Sequence, residues 1–132
     1  IAFGLENLGT PSMEIQKRVK GILNELNISH LAKRNVNDLS FGQKQLVALA
    51  GVLVMNPRHI VFDEPTTMLD PRNKSNIMKI MANLNKKGTT IIMITHDPEK
   101  ALSHARTIYW IKDGIVEKIT KKMNDNWKEV KL

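Results

Sequence analysis

Apolar residues recur at helical spacing early in the chain. Ile15, Val19, Ile22, Leu23 and Leu26 share one face and predict an amphipathic helix over 13–27, with Ser12 as its N-cap and Glu14 in the first turn. Residues 1–10, with Gly4, Gly9 and then Pro11, read as loop, a short helix is placed around 30–34, and Asn35-Val36-Asn37-Asp38 is turn chemistry. After Ser40 the pattern becomes almost wholly apolar: Leu46, Val47, Ala48, Leu49, Ala50, Val52, Leu53 and Val54 predict a deeply buried helix running to about Met55, stopped by Asn56-Pro57.

The rhythm then changes. His59–Phe62 is a short apolar run and predicts a buried parallel strand, and the β-branched run 89–95 predicts another. Asp70-Pro71 and Asp97-Pro98 each place a capping acid before a proline suited to the first helical turn. Ile77, Ile80, Met81 and Leu84 give the first of these helices its apolar face, and Gly88 ends it. The second helix runs to about Ala105. Runs at 106–111 and 115–119 flank Asp113-Gly114, a hairpin turn. From Thr120 onward the chain reads as polar and weakly patterned. Strands alternating with helices imply an α/β fold with mainly parallel strands.

Composition adds limits. The 132 residues suit one domain or part of one, and 42% hydrophobic with 25% charged content is ordinary for a globular protein. No apolar run reaches the roughly 20 residues that cross a bilayer. No signal peptide is visible at Ile1-Ala2-Phe3-Gly4, and the absence of an initiator Met reads as a start inside a longer chain. There is no cysteine, which excludes disulfides and thiolate-bound zinc. Net charge is +7, but the cations come as dispersed doublets such as Lys17-Arg18, Lys33-Arg34, Lys86-Lys87 and Lys121-Lys122, with aromatics only 5%. Solvated helix faces look like this, and nucleic acid is not expected as a partner.

Candidate chemistry gathers at element ends. Ser40 and Gly42 stand at a helix N-terminus, where unpaired N–H groups and the positive dipole end attract anions; Gly42 permits close approach, and Gln43 adds an amide. Read alone, Ser40 could merely cap the helix. Asp63-Glu64 lies where a strand emerges, the edge at which ligands sit in nucleotide-binding sheets. An Asp there can hold Mg²⁺, and an adjacent Glu can orient or deprotonate water. His96 closes the second apolar strand and can hydrogen-bond a phosphate. His30, His59 and His104 have no motif around them and read as surface or packing residues.

Leu39-Ser40-Phe41-Gly42-Gln43, then Ile60-Val61-Phe62-Asp63-Glu64-Pro65, Leu69-Asp70, and Ile94-Thr95-His96-Asp97 occur in the order and spacing of the ATP-binding-cassette ATPases. The chain resembles that family over nearly all of 1–119, and is most similar to the energy-coupling-factor or cobalt-type importer ATPases. The resemblance implies a partial P-loop NTPase (RecA-like) core with a helical subdomain and with the phosphate-loop half missing. It divides the chain into 1–56, helical subdomain with signature helix; 57–119, C-terminal half of the nucleotide-binding core; and 120–132, a polar tail.

It implies ATP and Mg²⁺ as cofactors. Ser40, Gly42 and Gln43 would touch ATP held by an opposite subunit. Asp63 would support Mg²⁺, Glu64 would be the catalytic carboxylate, Asp70 would belong to the loop between the two sites, and His96 would contact the γ-phosphate. Partners would be a second ATPase subunit and integral membrane transport subunits, with a peripheral place on the cytoplasmic face of the membrane and a role in uptake of a metal ion or micronutrient. The alternatives are a soluble cassette protein acting on nucleic acid or ribosomes, and a truncated non-catalytic partner. Three positions depart from the family pattern: Phe41 for a usual Gly, Leu46 for a frequent Arg, and Met68 for a usual small residue. No GxxxxGK[ST] occurs, so this chain alone is expected to be inactive, and its bare sheet edges are expected to self-associate.

Overall fold

The computed structural model describes residues 1–67 and 69–130. It divides into two compact units, Ile1–Met93 and the part from Ile94 onward. The Met68 departure and the end of the expected polar tail lie outside the described residues.

The first unit opens with helix α1 (Phe3–Asn7), where a loop was expected. Five residues including Gly4 have little intrinsic helicity. Tertiary burial supplies the rest: Leu5 is 1% exposed. Helix α2 (Ser12–Glu25) follows. Its N-cap is Pro11, with Ser12 the first helical residue and no side-chain cap, so the expected Ser12 cap is not formed. Two 3₁₀ turns, Ser29–Leu31 and Val36–Asp38, lead to helix α3 (Phe41–Leu53). Ile22, Leu23, Leu26, Leu31, Leu46, Leu49, Ala50 and Leu53 belong to one buried core with Leu5. Val52 remains 41% exposed, so α3 is buried on its core side only.

Strand β1 (His59–Asp63), helix α4 (Pro71–Lys86) and strand β2 (Thr90–Ile94) form a right-length βαβ unit, with β1 and β2 hydrogen-bonded in a parallel two-stranded sheet. Gly88, at φ +98, turns the chain from α4 into β2. Ile77, Met81 and Leu84 of α4 are buried in the same core, against which Phe62, Ile91 and Met93 pack from the sheet. Both strands were expected to be buried. Instead they alternate: Val61 is 60% exposed and Ile92 52%, because among the described residues only one face of this sheet is covered by helices.

The second unit contains helix α5 (Pro98–His104) and a three-stranded antiparallel sheet in the order β3 (Thr107–Lys112), β4 (Ile115–Met123), β5 (Asn126–Val130). The Asp113-Gly114 turn has φ of +50 and +77, the left-handed pair that suits a two-residue hairpin. A register shift between Trp110 and Ile111 adjusts β3 against β4. The segment from Thr120 to Val130, read from sequence as weakly patterned, completes β4 and forms β5 through a second turn at Asn124-Asp125, φ +48 and +62. Trp110 Nε1 donates to Thr120 Oγ1 at 3.0 Å, and Lys118 Nζ sits 5.1 Å from the Trp110 ring centre, so β3 and β4 are also joined through side chains.

Candidate functional site

Ser40 caps α3 in the expected way. Its Oγ accepts from the Gln43 N–H at 3.3 Å, while Gln43 Oε1 accepts from the Ser40 N–H at 3.0 Å, forming a reciprocal capping box. The Gln43 amide is thereby committed to the tip. The Phe41 and Gly42 N–H groups of the first turn have no intrahelical partner, and the Ser40 hydroxyl keeps its proton to donate. This end of the helix dipole favours negative charge.

The tip is tied to a second loop. A Cβ on Gly42 would lie 2.9 Å from Asn73 Nδ2, so only a glycine leaves room for that amide. Asn73 Nδ2 donates to Asp70 Oδ2 at 2.5 Å. Asp70 Oδ1 in turn accepts from the Arg72 and Asn73 N–H groups, both at 3.0 Å, capping α4. The Asn73 backbone hydrogen bond, the largest influence, holds the Asp70 carboxyl below its ordinary pKa; desolvation opposes it, and the Asn73 amide and Arg72 N–H add to it.

At the end of β1, Asp63 is exposed and Glu64 follows in left-handed backbone, φ +46. That conformation is uncommon for a residue other than Gly, Asn or Asp and redirects the chain sharply out of the strand. Thr67 Oγ1 donates to Glu64 Oε2 at 2.9 Å, and the neighbouring Thr66 is buried, 4% exposed. In the second unit, His96 lies two residues beyond β2 and is exposed. Asp97 after it caps α5: it accepts from the Lys100 N–H at 3.2 Å and pairs with Lys100 Nζ at 2.6 Å. The Lys100 ammonium is the main reason its carboxyl sits below the ordinary range.

Ser40, Gly42, Gln43 and Asp70 are therefore brought together within the first unit, and Asp63 and Glu64 share the exit of β1. His96 belongs to the second unit. Sequence reasoning missed Asn73 and Thr67. Each stands three residues after a named acid, and that spacing, which brings a side chain back over a turn, was the available signal. An open depression of about 440 Å³ between α2 and the end of α3, lined by Arg18, Ile22, Leu53 and Val54 among others, touches none of these residues.

Among the described residues no three His, Cys, Asp or Glu side chains cluster as a metal site. Mg²⁺ does not require one: it keeps several waters and is commonly held by one or two carboxylates together with substrate phosphates. A single strand-end carboxylate such as Asp63 fits that pattern.

A family model described as "AAA domain, putative AbiEii toxin, Type IV TA system" matches residues 5–100. The chain is 46% identical over 118 residues to the energy-coupling factor transporter ATP-binding protein EcfA of Methanocaldococcus jannaschii, covering 89% of this chain and 42% of the relative. It is 42% identical over 116 residues to the cobalt import ATP-binding protein CbiO of Syntrophus aciditrophicus, covering 88% and 41%. Among solved structures, cbiO1 of Clostridium perfringens, part of the ABC transporter complex cbiONQ, superposes with a TM-score of 0.77 at 43% identity, covering 86% of this chain and 45% of that one. The chain belongs to the ATP-binding-cassette ATPases.

Family membership accounts for the α/β plan, in which a parallel βαβ unit is preceded by helices. This cassette chain spans about two-fifths of the length of the relatives just named. The family model stops at residue 100, so β3, β4 and β5 of the cassette chain lie beyond the matched stretch.

Proposed function

We propose that this chain is part of the ATP-binding and hydrolysing subunit of an importer, working at the cytoplasmic face of the membrane to energise uptake of a metal ion or micronutrient. The observation that carries the reading is the connection at the tip of α3: Ser40 and Gly42 share one small neighbourhood with Asp70, through Asn73. A nucleotide phosphate reaching this tip would meet the Ser40 hydroxyl and the free N–H groups of Phe41 and Gly42. A change there would pass through Asn73 to the Asp70 loop. The names of the relatives, transporter and cobalt import ATP-binding proteins, support the transport role.

In this reading Ser40, Gly42 and Gln43 serve ATP held by a second ATPase subunit. Asp63 would hold Mg²⁺, which when bound neutralises charge on the phosphates. Glu64 would accept a hydrogen bond from the attacking water and take its proton. The Thr67 hydroxyl fixes one Glu64 oxygen and so limits where the other can point. His96 would hydrogen-bond the γ-phosphate. Integral membrane subunits would receive the resulting motion through residues 1–56. The 132-residue chain by itself would not turn over ATP, since its sequence has no phosphate-loop motif to cradle the phosphates.

The test is the complete subunit with its membrane partners. Glu64→Gln should lower Mg²⁺-dependent ATP turnover by about 10²–10⁴-fold, the usual weight of a general base, while leaving nucleotide binding within a few fold. Full turnover in Glu64→Gln would remove Glu64 from the chemistry. ATP hydrolysis by the 132-residue chain alone, abolished by the same substitution, would overturn the dependence on a phosphate loop.

A further inference from the structure

The nucleotide reading leaves the positive charge unused. From Pro71 to His96 the chain has no Asp or Glu, yet α4 carries Arg72, Lys74, Lys79 and Lys86. Within α4 a seven-residue unit occurs twice in succession: a cation (Arg72, Lys79), a small residue (Ser75, Ala82), an asparagine (Asn76, Asn83) and a buried aliphatic (Ile77, Leu84); Lys86 begins a third unit. Arg72, Ser75, Lys79, Ala82, Asn83 and Lys86 are exposed, and Asn76 is half-buried.

Seven residues return a helix to nearly the same azimuth, with a drift of about 20°, and advance it about 10.5 Å. Arg72, Lys79 and Lys86 therefore form one nearly straight row, roughly 21 Å long, on the side away from Ile77 and Leu84. Among the described residues none of the three cations has an ion-pair partner. The ion pairs of this unit lie outside the row: Arg18 pairs with Glu14 at 2.7 Å, and Lys87 pairs with Glu25.

We propose that this face of α4 docks an acidic helix of a partner protein whose carboxylates repeat every seven residues. Two helices side by side present equal rise per residue, so a seven-residue row on one meets a seven-residue row on the other without loss of step. Ser75 and Ala82 lie between the cations and let a second backbone come close, while Asn76 and Asn83 offer amide donors to carboxylates beside the ion pairs. Other polyanions fit less well. The row contains no apolar side chain, whereas a helix lying in a bilayer surface buries one apolar face. A nucleic-acid strand repeats its charge every 3.4 Å or so along the axis and gains nothing from a seven-residue step or from small residues between.

The test uses the 132-residue chain and two helical peptides of identical composition, one with Glu at every seventh position and one with the same Glu residues spread around the helix. At low salt, fluorescence anisotropy should show the first binding about tenfold more tightly or better, with strong salt dependence. Arg72→Glu/Lys79→Glu/Lys86→Glu should abolish binding. Lys17→Glu/Lys20→Glu/Lys33→Glu, with the same change of net charge, should weaken it by no more than about threefold through long-range field alone. If the first triple variant loses its helical circular dichroism, the Gln triple at the same positions carries the comparison. Equal binding of the two peptides, or equal loss in both triple variants, overturns the proposal. So does tighter binding of phosphatidylserine vesicles or of an oligonucleotide through the same three cations.

Discussion

Gly42→Ala sets two effects against each other at the tip of α3. In a helix, Ala is more stable than Gly by about 0.5–1 kcal/mol. The added methyl, however, would lie 2.9 Å from Asn73 Nδ2 and 3.2 Å from its Cγ. The Asn73 side chain must rotate away and so lose its hydrogen bond to Asp70, a solvent-facing contact of the kind that contributes about 0.5–1.5 kcal/mol. The single substitution is therefore expected to be nearly neutral. In an Asn73→Ala background nothing blocks the methyl, and Gly42→Ala should stabilise by about 0.5–1 kcal/mol. Urea unfolding of the four chains, followed by circular dichroism at matched m values, measures the difference. The expected coupling is about 0.5–1.5 kcal/mol. Additivity within about 0.3 kcal/mol would show that Gly42 and Asn73 do not share space. Destabilisation beyond about 2 kcal/mol by Gly42→Ala alone would show that the backbone, not the amide, gives way.

Ser40→Ala removes the cap of α3 and one half of its capping box, and should cost about 0.5–2 kcal/mol in the same unfolding assay. Gly114→Ala places a side chain at φ +77 in the first hairpin turn and should cost about 1–2 kcal/mol, read as a lowered melting temperature. Asp70 and Asp97 have folded pKa values below their unfolded ones, so the folded state binds fewer protons. Their contribution is complete above the ordinary aspartate value, about 3.9, and fades as pH falls through the lower folded values. The urea midpoint should thus decline steeply only below about pH 4, and Asp70→Asn with Asp97→Asn should flatten that decline.

Much of this fold was legible because its boundaries rest on local chemistry. Ser40, Asp70-Pro71 and Asp97-Pro98 each satisfy backbone donors within a few residues, so the sequence carries both the signal and its partner. Asp113-Gly114 is equally local. What escaped depends on distant contacts. Helix α1 exists because Leu5 is buried in the core, not because its five residues favour helix. Strand β5, Asn-Trp-Lys-Glu-Val, lacks alternation, and it forms by pairing with β4 through Asn124-Asp125, a turn dipeptide that could have been read. The half-exposed strands could not be read either: an apolar run records that burial is wanted, not which faces receive it. At the site, the acids and the signature residues were visible as motifs. The spacing of Asn73 from Asp70 was readable, but its packing against Gly42 arises only when the tip of α3 meets the start of α4.

Glu64 occupies the left-handed region, where a side chain beyond Gly, Asn or Asp costs on the order of 1 kcal/mol. A drift toward thermostability would exchange it for glycine, gaining resilience and erasing the carboxylate. The role proposed for Glu64 needs that carboxylate, so stability-guided redesign of this chain should leave position 64 alone.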